Sequence, residues 1–349
     1  MRQDLYSQYK LLKHLDRLIA WRDGEIVYPI AADFNLTNKC NNRCPLCVSS
    51  ESRDNTTVNF EDAKRIIQEL KDVGTRSIYF AGGGDPTCHE NLEEIIRLTK
   101  SKDMDVAVCT NGYKMSDGVI DAIVDCCSWM RISLDADGPE IYKRTHGMSK
   151  DSFYRVIENM SKLAIKKREK NSEIVIGAAY LLGPETVSGI YNAAELCKKI
   201  GIDGIRFRPF FEWMNSEKFP EKEREIMLRE FEFCNRLKSN NFSVSYPEDR
   251  LQAVVTKKIR HYDKCYVPHV ITAISADLKL YPCCVLRNNP KYVLGDLKEK
   301  SFREIWESDE RRKVHEKIDV NDCPNPCQYE KDNKIMHAVI EKITHSNFL

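Results

Sequence analysis

The chain has 349 residues, enough for two domains or for one large domain with an appendage. Its 54 Lys and Arg against 53 Asp and Glu leave a net charge of +1, so no broad field draws nucleic acid or an anionic membrane surface. No apolar run reaches the roughly eighteen residues that a membrane span needs.

The N-terminus is charged at once (Arg2, Asp4, Lys10, Lys13) and does not read as a signal peptide, so a cytoplasmic location is expected. Residues 5–21 place Tyr9, Leu12, Leu15, Leu18 and Ile19 at helical spacing. This segment, 1–29, is expected to be a helical extension on the outside of the main domain. It is too short for a separate peptide-binding domain. From residue 30 onward, strand and helix patterns alternate. Strands are predicted at Ile30–Leu36, Ser77–Ala81, Asp105–Cys109, Trp129–Leu134, Glu173–Leu182 and Gly204–Arg208. Helices are predicted between them, one carrying Ala63, Ile66, Ile67 and Leu70 on a single face and another Phe153, Val156, Met160 and Leu163. The run Lys166-Lys167-Arg168-Glu169-Lys170 reads as the solvated end of that second helix. Repeated strand–helix units predict a parallel sheet covered by helices. The expected fold is α/β, a partial (β/α)6 TIM-like barrel over 30–212, with its site at the C-terminal ends of the strands.

The chain holds 14 cysteines and no secretion signal, which argues against a disulfide framework. Three of them, Cys40, Cys44 and Cys47, share the loop after the first predicted strand. Structural zinc usually takes four ligands from paired units, whereas a set of three suits an iron–sulfur cluster with one iron left open. A zinc knuckle and three unrelated cysteines are the alternatives. Strand ends supply further candidates: Gly82-Gly83-Gly84-Asp85-Pro86, Thr110-Asn111-Gly112, and Arg131-Ile132-Ser133-Leu134-Asp135 with Arg144 beyond it. Glycines let a backbone approach a ligand closely. Residues 213–262 form a bridge, entered through the aromatic run Phe210-Phe211-Glu212-Trp213-Met214, which overlaps its start, and including a charged helix at Lys218–Lys238. From 263 to the end lie Cys265, Cys283, Cys284, Cys323 and Cys327. A hairpin turning at Ala276–Lys279 separates the first two.

The spacing Cys40-x-x-x-Cys44-x-x-Cys47 resembles the radical S-adenosylmethionine superfamily. The glycine run resembles the family's Gly-Gly-Glu-Pro motif, with Asp85 where Glu is usual. The segment from 263, with Tyr281-Pro282-Cys283-Cys284 and Leu294-Gly295-Asp296-Leu297, resembles the small α+β auxiliary-cluster domain called SPASM, or twitch when shortened. The resemblance implies a [4Fe-4S] cluster on Cys40, Cys44 and Cys47 that binds S-adenosylmethionine. Cofactor contacts are expected from Leu46, Gly82, Gly83, Gly84, Asp85, Asn111, Ser133 and Arg144. It implies one auxiliary [4Fe-4S] cluster on Cys265, Cys283, Cys323 and Cys327, since no cysteine follows Cys327; a zinc ribbon is the alternative. Neighbours on a strand face opposite ways, so one cluster should not take both Cys283 and Cys284; the resemblance favours Cys283, which matches the family's hairpin-end ligand position. The implied activity is hydrogen abstraction by a 5′-deoxyadenosyl radical, with an external one-electron donor of flavodoxin or ferredoxin type. A small polyol (a sugar, aminocyclitol or nucleotide sugar) is the expected substrate, with oxidation ahead of epimerisation. Peptide or protein maturation is the alternative. Asp135, Asp137, His146 and Arg208 lie where a general base would be sought.

Overall fold

The computed structural model describes residues 8–50, 53–209, 220–246, 260, 262–325 and 327–341. The aromatic run at 210–214 lies outside the described residues. Helix α1 spans Leu15–Arg22 and follows a 3-10 turn at Gln8–His14. The alternating part then runs β1 (Ala31–Phe34), α2 (Phe60–Asp72), β2 (Ser77–Phe80), α3 (Leu92–Ser101), β3 (Asp105–Thr110), α4 (Asp117–Cys126) and β4 (Cys127–Ser133). It continues through α5 (Pro139–His146), α6 (Asp151–Glu169), β5 (Val175–Leu182), α7 (Ile190–Ile200), β6 (Gly204–Pro209), α8 (Glu221–Asn235) and β7 (Ser243–Ser245). The C-terminal part holds β8 (Ile271–Ile274), β9 (Lys279–Tyr281), β10 (Gly295–Asp296), α9 (Phe302–Glu307), α10 (Asp309–Glu316) and α11 (Glu330–Ile340).

All ten strands form one sheet, in the order β10-β9-β8-β1-β2-β3-β4-β5-β6-β7. From β8 to β7 every neighbouring pair is parallel; β9 and β10 continue antiparallel. Two strands thus extend the expected six-strand run. Strand β7 comes from the segment expected to bridge two domains, and β8 from the C-terminal hairpin. The pairing of β8 with β1 is in register from Ala31↔Ile271 to Phe34↔Ile274.

Alternation sets the two faces of this sheet. Ala32, Phe34, Ile78, Phe80, Val106, Val108, Ile205 and Phe207 face the helices and are buried in the main apolar core. They meet Ala63, Ile66, Ile67 and Leu70 of α2 and Phe153, Val156, Met160 and Leu163 of α6, the faces read from the sequence. The opposite face carries Asp33, Tyr79, Arg131, Ser133, Arg206 and Arg208. Local signals start and stop the helices. Asn59 caps α2 by accepting from the Asp62 amide, and Ser116 caps α4 by accepting from the Val119 amide. Helix α5, not foreseen from the sequence, has Pro139 in its first turn and stops at Gly147, whose φ of +61° favours glycine.

The N-terminal segment departs from expectation in its contacts. Leu11 and Leu18 pack with Val267, Val270 and Met336, so α1 lies against the C-terminal part rather than on the outside of the barrel helices. The same part is pinned to the barrel at α9. There the Phe302 amide donates to the Glu69 carboxylate (2.6 Å), and the Trp306 indole donates to the Val27 carbonyl (2.8 Å). Trp306 is fully buried beneath Arg311, whose guanidinium sits 3.9 Å from the ring centroid. Replacing Trp306 by Ala should cost about 3–5 kcal/mol of stability, against about 1 kcal/mol for Phe, which loses chiefly the hydrogen bond. Urea unfolding of the two variants measures the difference.

Candidate active site

A cavity of about 720 Å³ opens at the C-terminal ends of the parallel strands. Its wall includes Cys40, Cys44 and Cys47, and with them Leu46, Gly82, Gly84, Asp85, Asn111, Ser133 and Arg144. The structure therefore brings the sequence-expected residues to one place, with Gly83 set behind the wall. Asp135, His146 and Arg208 also line the cavity. Asp137 instead lies beside Gly189 and accepts from Asn192 (3.3 Å).

The glycine run is shaped by the chain's own backbone. A Cβ on Gly84 would stand 2.1 Å from the Lys39 carbonyl oxygen, and one on Gly83 would stand 2.2 Å from Asn38 Oδ1. The Gly84 amide donates to the Thr37 carbonyl and the Asp85 amide to the Lys39 carbonyl, both at 2.9 Å. The run thus grips the segment that leads into the cysteine loop on one side, and Gly82 and Gly84 face the cavity on the other. Asp85 is buried, and its carboxylate is taken up by protein donors. These are the Thr87 amide (2.9 Å) and hydroxyl (2.6 Å), the Thr110 hydroxyl (2.8 Å) and the Asn111 amide (2.6 Å). It ties the tip of β2 to the tip of β3. Asn111 in turn donates to Asn41 Oδ1 (3.1 Å) inside the cysteine loop.

The other wall is held from β4 and α5. The His146 ring stacks on Tyr142 at 4.0 Å and lies 3.1 Å from the Ser133 carbonyl, to which its Nε2 donates as the neutral tautomer. Burial lowers its pKa to about 4, so it positions the strand end rather than taking protons at neutral pH. Asp135 has a positive φ of 45° and accepts from the Leu181 amide (2.6 Å). Burial raises its carboxyl to about 6, opposed by that hydrogen bond and by Arg208 and Arg131. Arg144 pairs with Glu185 at 3.7 Å across the mouth. Arg287, Thr186 and Gln328 line the cavity without having been foreseen; Arg131, from the strand-end segment picked out in the sequence but given no role there, lines it too. The signal for Arg131 was present: a charge at an alternate position of the otherwise apolar strand Met130-Arg131-Ile132.

The donor set fits a cationic cluster. Burial, then the Asp85 charge, pushes the Cys40 thiol up to about 11. Burial, then Asp135, pushes Cys44 to about 12. Such thiols ionise when a bound metal compensates them, with release of protons. In the C-terminal part, burial raises Cys265 to about 12 and Cys323 to about 11, and it raises Cys283 as well. Cys327 is near enough to raise all three further, and Cys265 also acts on Cys283. The four thiols therefore lie within reach of one another's charge, with Cys284 acting on Cys283 as well. Arg260 braces their loop by donating to the carbonyls of Cys323 (3.3 Å) and Pro324 (2.8 Å). Cys284 points elsewhere: it accepts from Gln328 Nε2 (2.8 Å) and meets the Tyr329 hydroxyl (3.4 Å). Among the described residues no three His, Cys, Asp or Glu side chains are placed to hold a single metal ion. Zinc draws its four ligands to about 2.3 Å from one point, whereas a four-iron cluster spreads its thiolates over the corners of a cube.

Comparison with known proteins agrees with this geometry. The radical SAM superfamily model matches residues 34–197, and the SPASM iron–sulfur cluster-binding domain model matches residues 265–329. The chain belongs to the radical S-adenosylmethionine superfamily and carries a SPASM domain. Its cofactors follow: S-adenosylmethionine with its [4Fe-4S] cluster, and auxiliary iron–sulfur ligation in the C-terminal part. Over 90% of its length it is 22% identical to an AdoMet-dependent heme synthase of Methanosarcina barkeri, covering 89% of that protein. Over 52% of its length it is 27% identical to a 7,8-dihydro-6-hydroxymethylpterin dimethyltransferase of Methanocaldococcus jannaschii; it spans about a third of that relative, 30%. Among solved structures it is similar in fold to SuiB of Streptococcus suis bound to the precursor peptide SuiA. The TM-score is 0.64 at 16% identity, covering 91% of this chain and 74% of that one.

Anaerobic reconstitution should load about eight irons per chain, as two cubane clusters require. Replacing Cys40, Cys44 and Cys47 together by Ala should remove about half of the iron and abolish reductive cleavage of S-adenosylmethionine. Replacing Cys283 by Ala should deplete the other half, while Cys284→Ala should retain it. Iron analysis beside a cleavage assay reads all three.

Proposed function

We propose that this radical SAM enzyme oxidises a side chain of a peptide or protein. The observation that carries the reading is the cavity itself, which puts the cysteine loop and the charged strand ends around one space. Support for a polypeptide substrate comes from the similarity in fold to SuiB in complex with its precursor peptide. The rim suits such a substrate: Val48 and Leu46 of the cysteine loop stand exposed there, giving a bound chain apolar surface. Of the small polyols first expected, a sugar or an aminocyclitol would leave the Arg208 guanidinium without a charge to meet, whereas a nucleotide sugar would bring phosphates.

When bound, the clusters and S-adenosylmethionine supply the 5′-deoxyadenosyl radical and a one-electron acceptor. The chain's own residues do the positioning. The glycine run and Asp85 fix the cysteine loop against β2 and β3. Neutral His146 holds the end of β4. The α5 wall, closed by Arg144 and Glu185, limits entry of water. Oxidation removes a hydrogen atom, and then one proton and one electron, from the same substrate. The Asp135 carboxylate lines the cavity and accepts that proton in this reading. A carboxyl raised to about 6 is a competent base just above that pH. Turnover should therefore rise with pH through about 6, and the rise should flatten in Asp135→Asn.

Turnover in deuterium oxide separates oxidation from epimerisation. A peptide product lighter by two hydrogens, with no deuterium on carbon, is the expected result. A product of unchanged skeleton with one carbon-bound deuterium would show quenching by an exchangeable thiol and would exclude the oxidation. Cys109, which lines the cavity from β3, is the thiol to replace in that event. Mass spectrometry of product made from a candidate peptide substrate reads both outcomes.

A further inference from the structure

The geometry points to a carboxylate-binding subsite in the barrel interior, formed by Arg131 of β4 and Arg208 of β6, that holds a carboxylate of the substrate. It rests on the reading of this cavity as the place where substrate reacts.

Strand β5 lies between β4 and β6, in the registers Arg131↔Gly177, Ala179↔Arg206 and Leu181↔Arg208. Along β5 the span from Arg131 to Arg208 runs from Gly177 past Ala179 to Leu181, which stands beside Arg208 and also lines the cavity. The small residues Gly177 and Ala179 leave room over β5 on the Arg131 side. Both arginines line the cavity. Two other cations of its wall are paired with carboxylates: Arg287 with Asp33 at 2.9 Å, and Arg144 with Glu185 at 3.7 Å. Arg208 differs. Its Nε is buried with no hydrogen-bond partner, and among the described residues no carboxylate lies within ion-pair distance of it. The charge of Arg131 is the strongest influence on Arg208, followed by burial and by Arg206, and together they lower it to about 9. Asp135 opposes them, but its Oδ1 is already engaged by the Leu181 amide.

Guanidinium groups crowded together away from water repel one another, and an entering anion relieves that repulsion. Arginine forks match a carboxylate in two-point contact. The subsite lies on the same strand face as Ser133, the residue expected to meet the cofactor. Arg131 is two positions, roughly 6–7 Å, further down that strand. Substrate and cofactor can thus be held by different layers of the barrel. The acid group would be an acidic side chain or the C-terminus of a peptide, or belong to a free small acid.

The test uses the full chain, reconstituted and saturated with S-adenosylmethionine, with calorimetric titration of glutarate, glutaramide, glycerol phosphate and a capped pentapeptide with a central glutamate. Glutarate should bind and glutaramide should not. Arg208→Gln should weaken glutarate at least about tenfold while the affinity for S-adenosylmethionine stays within about twofold. Arg208→Lys, which keeps the charge, should fall between. If the Gln variant does not fold, the salt dependence of glutarate binding to the unaltered protein replaces it, and a salt-independent affinity overturns the proposal. Equal binding of glutarate and glutaramide, no binding of either, or loss of S-adenosylmethionine in Arg208→Gln would also overturn it. Tighter binding of glycerol phosphate than of glutarate would overturn the carboxylate assignment. Glutarate bound through Arg208 with the pentapeptide excluded would leave the subsite standing and remove the peptide reading.

Discussion

Asp33 and Arg287 form an ion pair at 2.9 Å with almost no exposure, and much of the architecture is built around that burial. Asp33 sits on β1 at the centre of the sheet, and Arg287 follows the C-terminal hairpin. Two charges withdrawn from water repay their desolvation only when they face each other closely and their remaining hydrogen-bonding positions are met. Burial raises the Asp33 carboxyl, and Arg287 and the Tyr79 hydroxyl hold it back. Tyr79 meets the Tyr329 hydroxyl at 3.2 Å, and Tyr329 meets Cys284. The pair therefore anchors a polar chain that runs from the barrel interior to the loop carrying Cys323 and Cys327. Gly82 completes the arrangement, since a Cβ there would stand 2.8 Å from Arg287 Nη1.

The aspartate at position 85 has a local explanation. A short carboxylate accepts from the amide two residues on, as Asp85 does from Thr87, and so caps the turn Pro86–Cys88. The same carboxylate reaches Thr110 and Asn111 on the neighbouring strand tip. It ties the two strand tips together, while Asp85, Gly82 and Gly84 also line the cavity.

The alternation of the central strands was legible because each has apolar side chains on one face and lies under helices with a clear apolar stripe. Helix α5 was not legible. It spans Pro139–His146, is short and charged, and has only Tyr142 and His146 buried, so no periodic stripe announces it. The cysteine loop and the strand-end glycines were legible as motifs, since their residue types are dictated by chemistry and by backbone space. The partner of β8 was not. Ile271–Ile274 pairs with a strand some 240 residues earlier, and nothing local in either segment names the other. The arginines were half legible. Arg206 and Arg208 break the apolar pattern of β6 at alternate positions, which marks a polar face, but that they share a space with Arg131 depends on how β4, β5 and β6 lie side by side.

The bond between β8 and β1 has a further effect. Four residues of each strand run in register, so the C-terminal part is an extension of the barrel sheet and not a body on a tether. Cys283 and Cys284 follow β9, which pairs with β8, and Cys40 lies six residues beyond β1. Cys40 and Cys283 are therefore tied to strands of one sheet, β1 and β9, with β8 between them. Electron tunnelling falls off steeply with distance, so a span fixed by backbone hydrogen bonds makes the transfer rate between two such centres a property of the fold. Substrate entry can rearrange the mouth of the cavity without altering that span.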